Sequence, residues 1–196
     1  MAYDGNSFKT TKGEVHMEKE MVYRETTASK TKMLVLTGLF AAMACVATMV
    51  LVVPSPTGGY MNLGDAVVLL GAYLLGPAWG AVAGGIGPAL ADLLAGYTEY
   101  VPATLVIKAI MGLLAGVLYR QLREKNGGAL VCAIVGEIPM VVGYWLYDGI
   151  LLGSLAGSAA GIPSNLVQAA FGIVVSTLLV LALRRSSYVR KEFPSL

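Results

Sequence analysis

Acidic and basic residues are rare in the middle of the chain, and the few that occur lie in or beside apolar segments. Between positions 33 and 119 they are Asp65, Asp92, Glu99 and Lys108. A lysine inside a membrane helix costs about 2.5–3.5 kcal/mol, so Lys108 is expected to face the interior of a helix bundle or a partner. Two interpretations stay open. Lys108 contributes to a polar pocket, or it forms a structural ion pair with Asp92 or Glu137.

A second group of candidate residues lies in the apolar segment that follows position 128. Tyr144 is predicted at about the depth of Lys108, with Asp148 one turn above it and Glu137 two turns below it. Tyr144 and the adjacent Trp145 could stack on a planar ligand. They could equally belong to the aromatic belt that forms at a membrane interface.

Two amides complete the candidate set. Asn165 and Gln168 are three residues apart and therefore share one face of a helix. Amides both donate and accept hydrogen bonds, which suits a neutral heterocycle, although helix–helix hydrogen bonding is the alternative. Cys45, Cys132 and the single histidine, His16, show no metal-ligand spacing, so we expect no metal, no cofactor and no histidine-based catalysis.

The amino-acid composition indicates that most of this chain lies in a lipid bilayer. Of 196 residues, 13% are charged and 56% are hydrophobic, whereas soluble domains have about 25% charged residues. We predict an all-α integral membrane protein with one domain. No feature of the sequence predicts binding to nucleic acid.

Six membrane helices are predicted from the apolar segments and the breakers between them. Their expected ranges are 33–53, 65–75, 78–95, 101–120, 129–152 and 162–183. The stretch 66–95 is divided at Gly76-Pro77. This division puts three groups of basic residues on the same side of the membrane. They lie in the N-terminal segment, in the loop after position 119 and in the C-terminal segment. Basic loops stay in the cytoplasm, so both termini are expected there.

The flanking segments and the shortest helix have their own predictions. Residues 1–30 are polar without apolar periodicity and are predicted to be a disordered cytoplasmic tail. Residues 31–187 are predicted to form the membrane domain, and residues 188–196 a second cytoplasmic tail. The span 65–75 would rise only about 16 Å, too little to cross the bilayer alone. Irregular backbone at this depth must be buried in protein or line a cavity, which indicates a binding site near the outer face. The alternative is that the span has other boundaries and is longer.

Small residues at four-residue spacing form stripes in two segments. Gly38 and Ala42 form one stripe in the first span, and Ala41 and Cys45 belong to another. Such stripes let a second helix approach closely, either within the bundle or from a partner. A third stripe, in the range 80–91, is expected to serve internal packing.

Several motifs between positions 62 and 116 resemble a known family. They are Asn62-Leu-Gly-Asp65, Leu75-Gly-Pro77, Gly84-Gly-Ile-Gly87, Ala91-Asp92 and Pro102-Ala-Thr-Leu-Val-Ile-Lys108. The chain is similar here to the S component, the substrate-binding subunit, of energy-coupling factor (ECF) vitamin transporters, in the riboflavin-type or hydroxymethylpyrimidine-type subgroup. The resemblance covers roughly residues 33–185.

The resemblance implies a six-helix bundle that binds a water-soluble vitamin or precursor near the outer face. It implies that the loop 54–64, which contains Asn62, closes the site. It also implies a transmembrane coupling protein and two ATPase subunits as partners, with docking through the small-residue stripe of the first helix. The substrate-binding residues expected on both grounds are Asn62, Asp92, Lys108, Glu137, Tyr144, Trp145, Asp148, Asn165 and Gln168; the docking residues are Gly38, Ala41, Ala42 and Cys45.

The expected function is ligand capture in a prokaryotic plasma membrane, without catalysis. Hydroxymethylpyrimidine or a thiamine-like compound ranks first as ligand, then pyridoxine, then riboflavin. The chain contains no Gly-Lys-Ser/Thr nucleotide loop, so ATP hydrolysis would belong to other subunits. The alternative is an autonomous transporter or channel. An intramembrane enzyme ranks last, because the carboxylates are too scattered to form a catalytic cluster.

Overall fold

The chain folds almost entirely into helices. The computed structural model describes residues 12–193 and 195–196. The helices are α1 Lys12–Val50, α2 Gly64–Leu75, α3 Pro77–Ala95, α4 Val101–Leu122, α5 Gly128–Leu152, α6 Leu155–Ser158, α7 Ile162–Leu183 and α8 Ser187–Glu192, with a 3-10 turn at Ala159–Gly161. Two short strands, β1 Val53–Pro54 and β2 Tyr60–Met61, pair antiparallel between α1 and α2.

Helix α1 begins earlier than the sequence analysis predicts. We predicted a disordered tail over residues 1–30; residues 1–11 lie outside the described part, and Lys12–Lys30 is helical. The segment is rich in Glu, Lys and Met, which are good helix formers. Adding such residues to an existing helix needs no new nucleus, so the helix extends into the polar segment.

Within residues 12–193, five helical segments are long and apolar enough to span a membrane: Ser29–Val50, Pro77–Ala95, Val101–Leu122, Gly128–Leu152 and Leu155–Leu183. Large apolar side chains cover their outer surfaces. In α3, for example, Val82, Ile86 and Leu90 are exposed at intervals of one turn. Apolar surface on this scale is stable against lipid and not against water.

The predicted break between α2 and α3 is present. Helix α2 ends at Leu75 and α3 begins at Pro77. Gly76 between them has φ +81°, a conformation that favours glycine. With 12 residues, α2 rises about 18 Å. It is buried along almost its whole length and contacts α3, α4 and α7.

Glycines of α3 let neighbouring helices approach closely. A Cβ on Gly87 would lie 2.9 Å from the Ala44 Cβ and still closer to the Ala41 carbonyl oxygen. A Cβ on Gly84 would overlap Val68 of α2. The expected stripe over 80–91 therefore packs inside the bundle.

Basic residues gather at one end of the bundle. Arg184, at the end of α7, donates to the Arg123 carbonyl oxygen at 2.6 Å, and its guanidinium lies 5.3 Å from the centre of the Tyr119 ring. Arg120 lies against Gly76. The β1–β2 hairpin and the junctions α3–α4 and α5–α7 lie at the opposite end.

Candidate functional site

A polar pocket opens at the end of the bundle that carries the hairpin. The space between its lining residues, open solvent included, is about 400 Å³. Its lining comes from the hairpin and from α3, α4, α5 and α7. The lining residues are Ser55, Thr57, Gly59, Tyr60, Asn62, Asp92, Tyr100, Thr104, Tyr144, Asp148, Asn165 and Gln168.

The loop that carries the hairpin covers this pocket and is held there by hydrogen bonds. Its turn is closed by the Ser55 amide, which donates to the Gly59 carbonyl oxygen at 2.8 Å. The hydroxyl of Ser55 lies 3.1 Å from the Ser164 hydroxyl on α7. The backbone N–H of Asn62 donates to the Gln168 side-chain oxygen at 2.7 Å. These last two hydrogen bonds attach the loop to α7 over the pocket.

Asp92 forms one wall of the pocket and is 3% exposed. One carboxylate oxygen accepts a hydrogen bond from the Tyr60 hydroxyl at 2.5 Å. The other oxygen, Oδ2, has no hydrogen-bond partner among the described residues. The Thr104 hydroxyl borders this carboxylate and lies 2.8 Å from the Tyr144 hydroxyl, with either hydroxyl able to donate to the other.

Tyrosines line the side of the pocket that faces the loops. Tyr100 donates to Asp148 Oδ1 at 3.0 Å, and its ring lies 6.5 Å from that of Tyr144. Burial, followed by the hydrogen bond to Asp92, raises the pKa of Tyr60 above its usual value. Burial and the neighbouring Asp148 raise the pKa of Tyr100. Both hydroxyls therefore stay protonated and act as donors to the two carboxylates.

A buried ion pair lies beneath the pocket. Lys108 donates to Asp65 Oδ1, and both side chains are 1% exposed. The Gln168 amide donates to the other oxygen of Asp65 at 2.7 Å. The Lys108 ammonium also lies 5.5 Å from the centre of the Tyr144 ring. Hydrogen bonds thus connect the loop, through Gln168, to the ion pair.

This geometry corrects the expected partner of Lys108. The sequence analysis considered Asp92 and Glu137, but the ion pair forms with Asp65. Asp65 starts the short helix α2, which lies in the centre of the bundle. Neither Lys108 nor Glu137 is among the pocket-lining residues.

Glu137 is 2% exposed and lies behind the ion pair. Neither of its carboxyl oxygens has a hydrogen-bond partner among the described residues. A Cβ on Gly172 would lie 2.5 Å from Glu137 Oε1 and 2.9 Å from the Asp65 Cβ. The glycine on α7 therefore leaves room for this side chain beside Asp65.

Of the nine predicted substrate-binding residues, the structure brings six together at the pocket: Asn62, Asp92, Tyr144, Asp148, Asn165 and Gln168. Trp145 points elsewhere, because its indole N–H donates to the Leu155 carbonyl oxygen at 3.1 Å. The sequence analysis missed Tyr60, Tyr100 and Thr104. The tyrosines follow Gly59 and Glu99 in loops without Lys or Arg, which is the signal that could have identified them.

The predicted docking residues divide between two faces of α1. Gly38 and Ala42 are exposed, and nothing lies within 4 Å of a Cβ built on Gly38. Ala41 is 8% exposed and packs against Gly87, so it belongs to the interior face. Cys45 is half-buried. Ala41 and Ala42 are about 100° apart around the helix axis, and here Ala42 lies on the outer face while Ala41 lies on the inner one.

A helical membrane bundle with a covered polar pocket is the architecture of a membrane-embedded binding protein. The chain belongs to the family of the ECF-type riboflavin transporter S component, whose model matches residues 28–185. Its role is therefore that of a substrate-binding component in vitamin transport, and the family is not a family of enzymes. The predicted resemblance is confirmed.

Two curated relatives are similar over most of their length. An uncharacterized protein of Pyrococcus woesei is 38% identical over 131 residues, which cover 66% of this chain and 86% of that protein. The thiamine precursor transporter HmpT of Lactococcus lactis subsp. cremoris (strain MG1363) is 33% identical over 128 residues, 65% of this chain and 71% of that protein.

Two solved structures share the fold. The S component of a bacterial ECF transporter superposes with a TM-score of 0.60 at 22% identity, over 80% of this chain and 95% of that one. The S component for biotin from an ECF-type ABC transporter superposes with a TM-score of 0.59 at 19% identity, over 85% of this chain and 97% of that one.

Proposed function

We propose that this protein captures a water-soluble vitamin or vitamin precursor with high affinity at the outer face of a prokaryotic cell membrane, for ATP-driven import. The observation that carries the proposal is the polar pocket beneath the loop 54–64. Three elements support capture: a polar pocket at one end of the bundle, a covering loop attached to α7, and polar groups that are buried yet line an open space.

Hydroxymethylpyrimidine or a thiamine-like compound ranks first as ligand, followed by pyridoxine and then riboflavin. The relative named as a thiamine precursor transporter supports the first rank, whereas the matching family model is named for riboflavin. Tyr100 and Tyr144 offer ring faces for a planar heterocycle. The side chain of Asn165 offers a donor and an acceptor at the edge of such a ring.

The pocket end of the bundle is proposed to face outward. The basic residues gather at the other end, and basic loops remain in the cytoplasm. Helix α2 then counts as a sixth, short membrane helix, which places both termini in the cytoplasm. Its limited length is accommodated because neighbouring helices and the covering loop bury its ends.

Import requires partners that bind and hydrolyse ATP, and we propose a transmembrane coupling protein and two ATPase subunits. The exposed face of α1 is the candidate docking surface. Gly38 and Ala42 lie on it, and Ala42 borders an apolar surface groove formed with Met43, Val46 and Val67. Small residues there would let a partner helix approach closely.

Mass spectrometry of protein purified from cells grown in rich medium tests the proposal. The denatured sample is expected to release a vitamin-sized heterocycle, because the lining groups need hydrogen-bond partners. Calorimetry of ligand-free protein against hydroxymethylpyrimidine, thiamine, pyridoxine and riboflavin then ranks the ligands. An empty pocket combined with no binding across this panel would sink the proposal.

A further inference from the structure

The unpartnered oxygen of Asp92 is the pocket feature that existing contacts leave unexplained. The side chain is 3% exposed and lines the pocket. Its Oδ1 is satisfied by Tyr60 at 2.5 Å, but Oδ2 has no partner within the described residues. A buried carboxylate oxygen without a hydrogen bond is unfavourable, so this position favours a donor supplied by the ligand.

The charges around the pocket restrict what that donor can belong to. Two carboxylates, Asp92 and Asp148, line the pocket, and no lysine, arginine or histidine is among the lining residues. Lys108 is the nearby cation, but it is committed to Asp65 beneath the pocket. A ligand with a negative group would face two carboxylates without a compensating charge.

We propose that Asp92 determines specificity by accepting a hydrogen bond from an N–H group of the ligand at Oδ2. The ligand is then a neutral or cationic heterocycle that carries an amine or ring N–H, and its phosphorylated form is rejected. This inference rests on the proposed function and names the ligand chemistry for the same pocket.

The hydrogen bond from Tyr60 connects this recognition to closure of the loop. Tyr60 lies on β2, and its hydroxyl donates to the same carboxylate that would receive the ligand. A ligand donor at Oδ2 and a loop donor at Oδ1 use the two oxygens of one residue. The loop is therefore most stable in the closed position when the ligand satisfies the other oxygen.

The test uses matched ligand pairs that differ in one N–H group. They are hydroxymethylpyrimidine and its analogue with a methoxy group in place of the amine, and riboflavin and N3-methylriboflavin. For the pair that contains the tightest ligand, removing the N–H is expected to weaken binding about 10- to 100-fold, as for a hydrogen bond to a charged group. Adding a phosphate ester should weaken binding at least as much.

The Asp92→Asn variant should abolish or reverse this preference. Its amide oxygen can still accept from Tyr60, which turns the NH₂ group toward the ligand, where it prefers an acceptor such as an oxo group. Glu99→Gln is the matched control: it also neutralises a carboxylate, but one that is exposed in the loop between α3 and α4 and does not line the pocket, so it should leave the preference for N–H intact. Circular dichroism and gel filtration in detergent establish that each variant is folded.

If Asp92→Asn does not fold, the wild-type ligand pairs decide alone. The inference is overturned if loss of the N–H changes the affinity less than threefold, if the phosphate ester binds as well as the parent compound, or if folded Asp92→Asn keeps the full preference. Absence of binding to every compound would instead overturn the proposed function, and the inference with it.

Discussion

Replacing Lys108 by methionine is expected to destabilise this protein far more than replacing Asp65 by asparagine. The two side chains form an ion pair in which each is 1% exposed. Removing one partner of such a pair leaves a buried charge without compensation and costs about 3–5 kcal/mol. Methionine nearly matches lysine in length and is uncharged, so the packing lost by the substitution is small.

Glu137 makes the two halves of the ion pair unequal. Its side chain interacts with both Asp65 and Lys108, and its oxygens have no hydrogen-bond partner among the described residues. In Asp65→Asn, Glu137 can supply the negative charge that Lys108 loses. The expected cost then falls to about 1.5–3 kcal/mol, the value of a hydrogen bond to a charged group. In Lys108→Met, two carboxyls remain without their cation, and the cost stays at about 3–5 kcal/mol.

Unfolding of each variant in mixed detergent–dodecyl sulfate micelles, followed by circular dichroism, measures these free energies. Glu137→Gln is the control, because glutamine has the shape of a neutral glutamic acid; its expected cost is below about 1 kcal/mol. Equal losses for Lys108→Met and Asp65→Asn would refute the reasoning. A Glu137→Gln loss as large as that of Lys108→Met would also refute it, since Glu137 would then be a required ion-pair partner.

Three further predictions concern the loop, the docking face and the packing of α1. Tyr60→Phe removes the donor to Asp92 and should speed ligand dissociation about tenfold, measured by stopped-flow fluorescence. The pKa of Tyr60 is higher in the folded protein than in the unfolded chain. The stabilisation by Tyr60 is therefore complete below its unfolded pKa of about 10 and declines only as pH rises toward the folded pKa. The difference in thermal stability between wild type and Tyr60→Phe should be constant from pH 7 to about 9. Gly38→Leu and Ala42→Leu, both on the exposed face of α1, should leave ligand binding unchanged and stop uptake into cells. Gly87→Ala places a methyl group against α1 and should cost about 1–3 kcal/mol in the unfolding assay.

Each of these experiments has an outcome that contradicts it. Unchanged dissociation in Tyr60→Phe would mean that the Asp92 hydrogen bond does not hold the loop. If uptake survives both leucine substitutions, the exposed face of α1 is not the docking surface. Gly96→Ala is not a suitable packing control because Gly96 has φ +86°; Gly38→Ala, with open space around its Cβ, is suitable and should be nearly neutral. If Gly87→Ala is equally neutral, α1 and α3 do not pack as closely as described.

Much of the architecture follows from the sequence, because it depends on sums over local segments. Transfer of apolar residues into lipid is additive along a helix, so hydropathy alone indicates the long spans. Gly76-Pro77 divides α2 from α3 through backbone conformation and a missing N–H, both of which are local properties. Of the six predicted residues that line the pocket, Asn62 came from the family resemblance, and the other five were predicted as polar groups in or beside apolar segments.

The tertiary structure decided which polar groups meet. Lys108 pairs with Asp65 because α2 lies at the centre of the bundle, and spacing along the chain does not report that position. Trp145 turns to the Leu155 carbonyl and Ala41 turns inward to Gly87, since the rotation of each helix about its axis is set by packing against its neighbours. Tyr60 reaches Asp92 only because the hairpin folds back over the pocket, a contact between residues 32 positions apart.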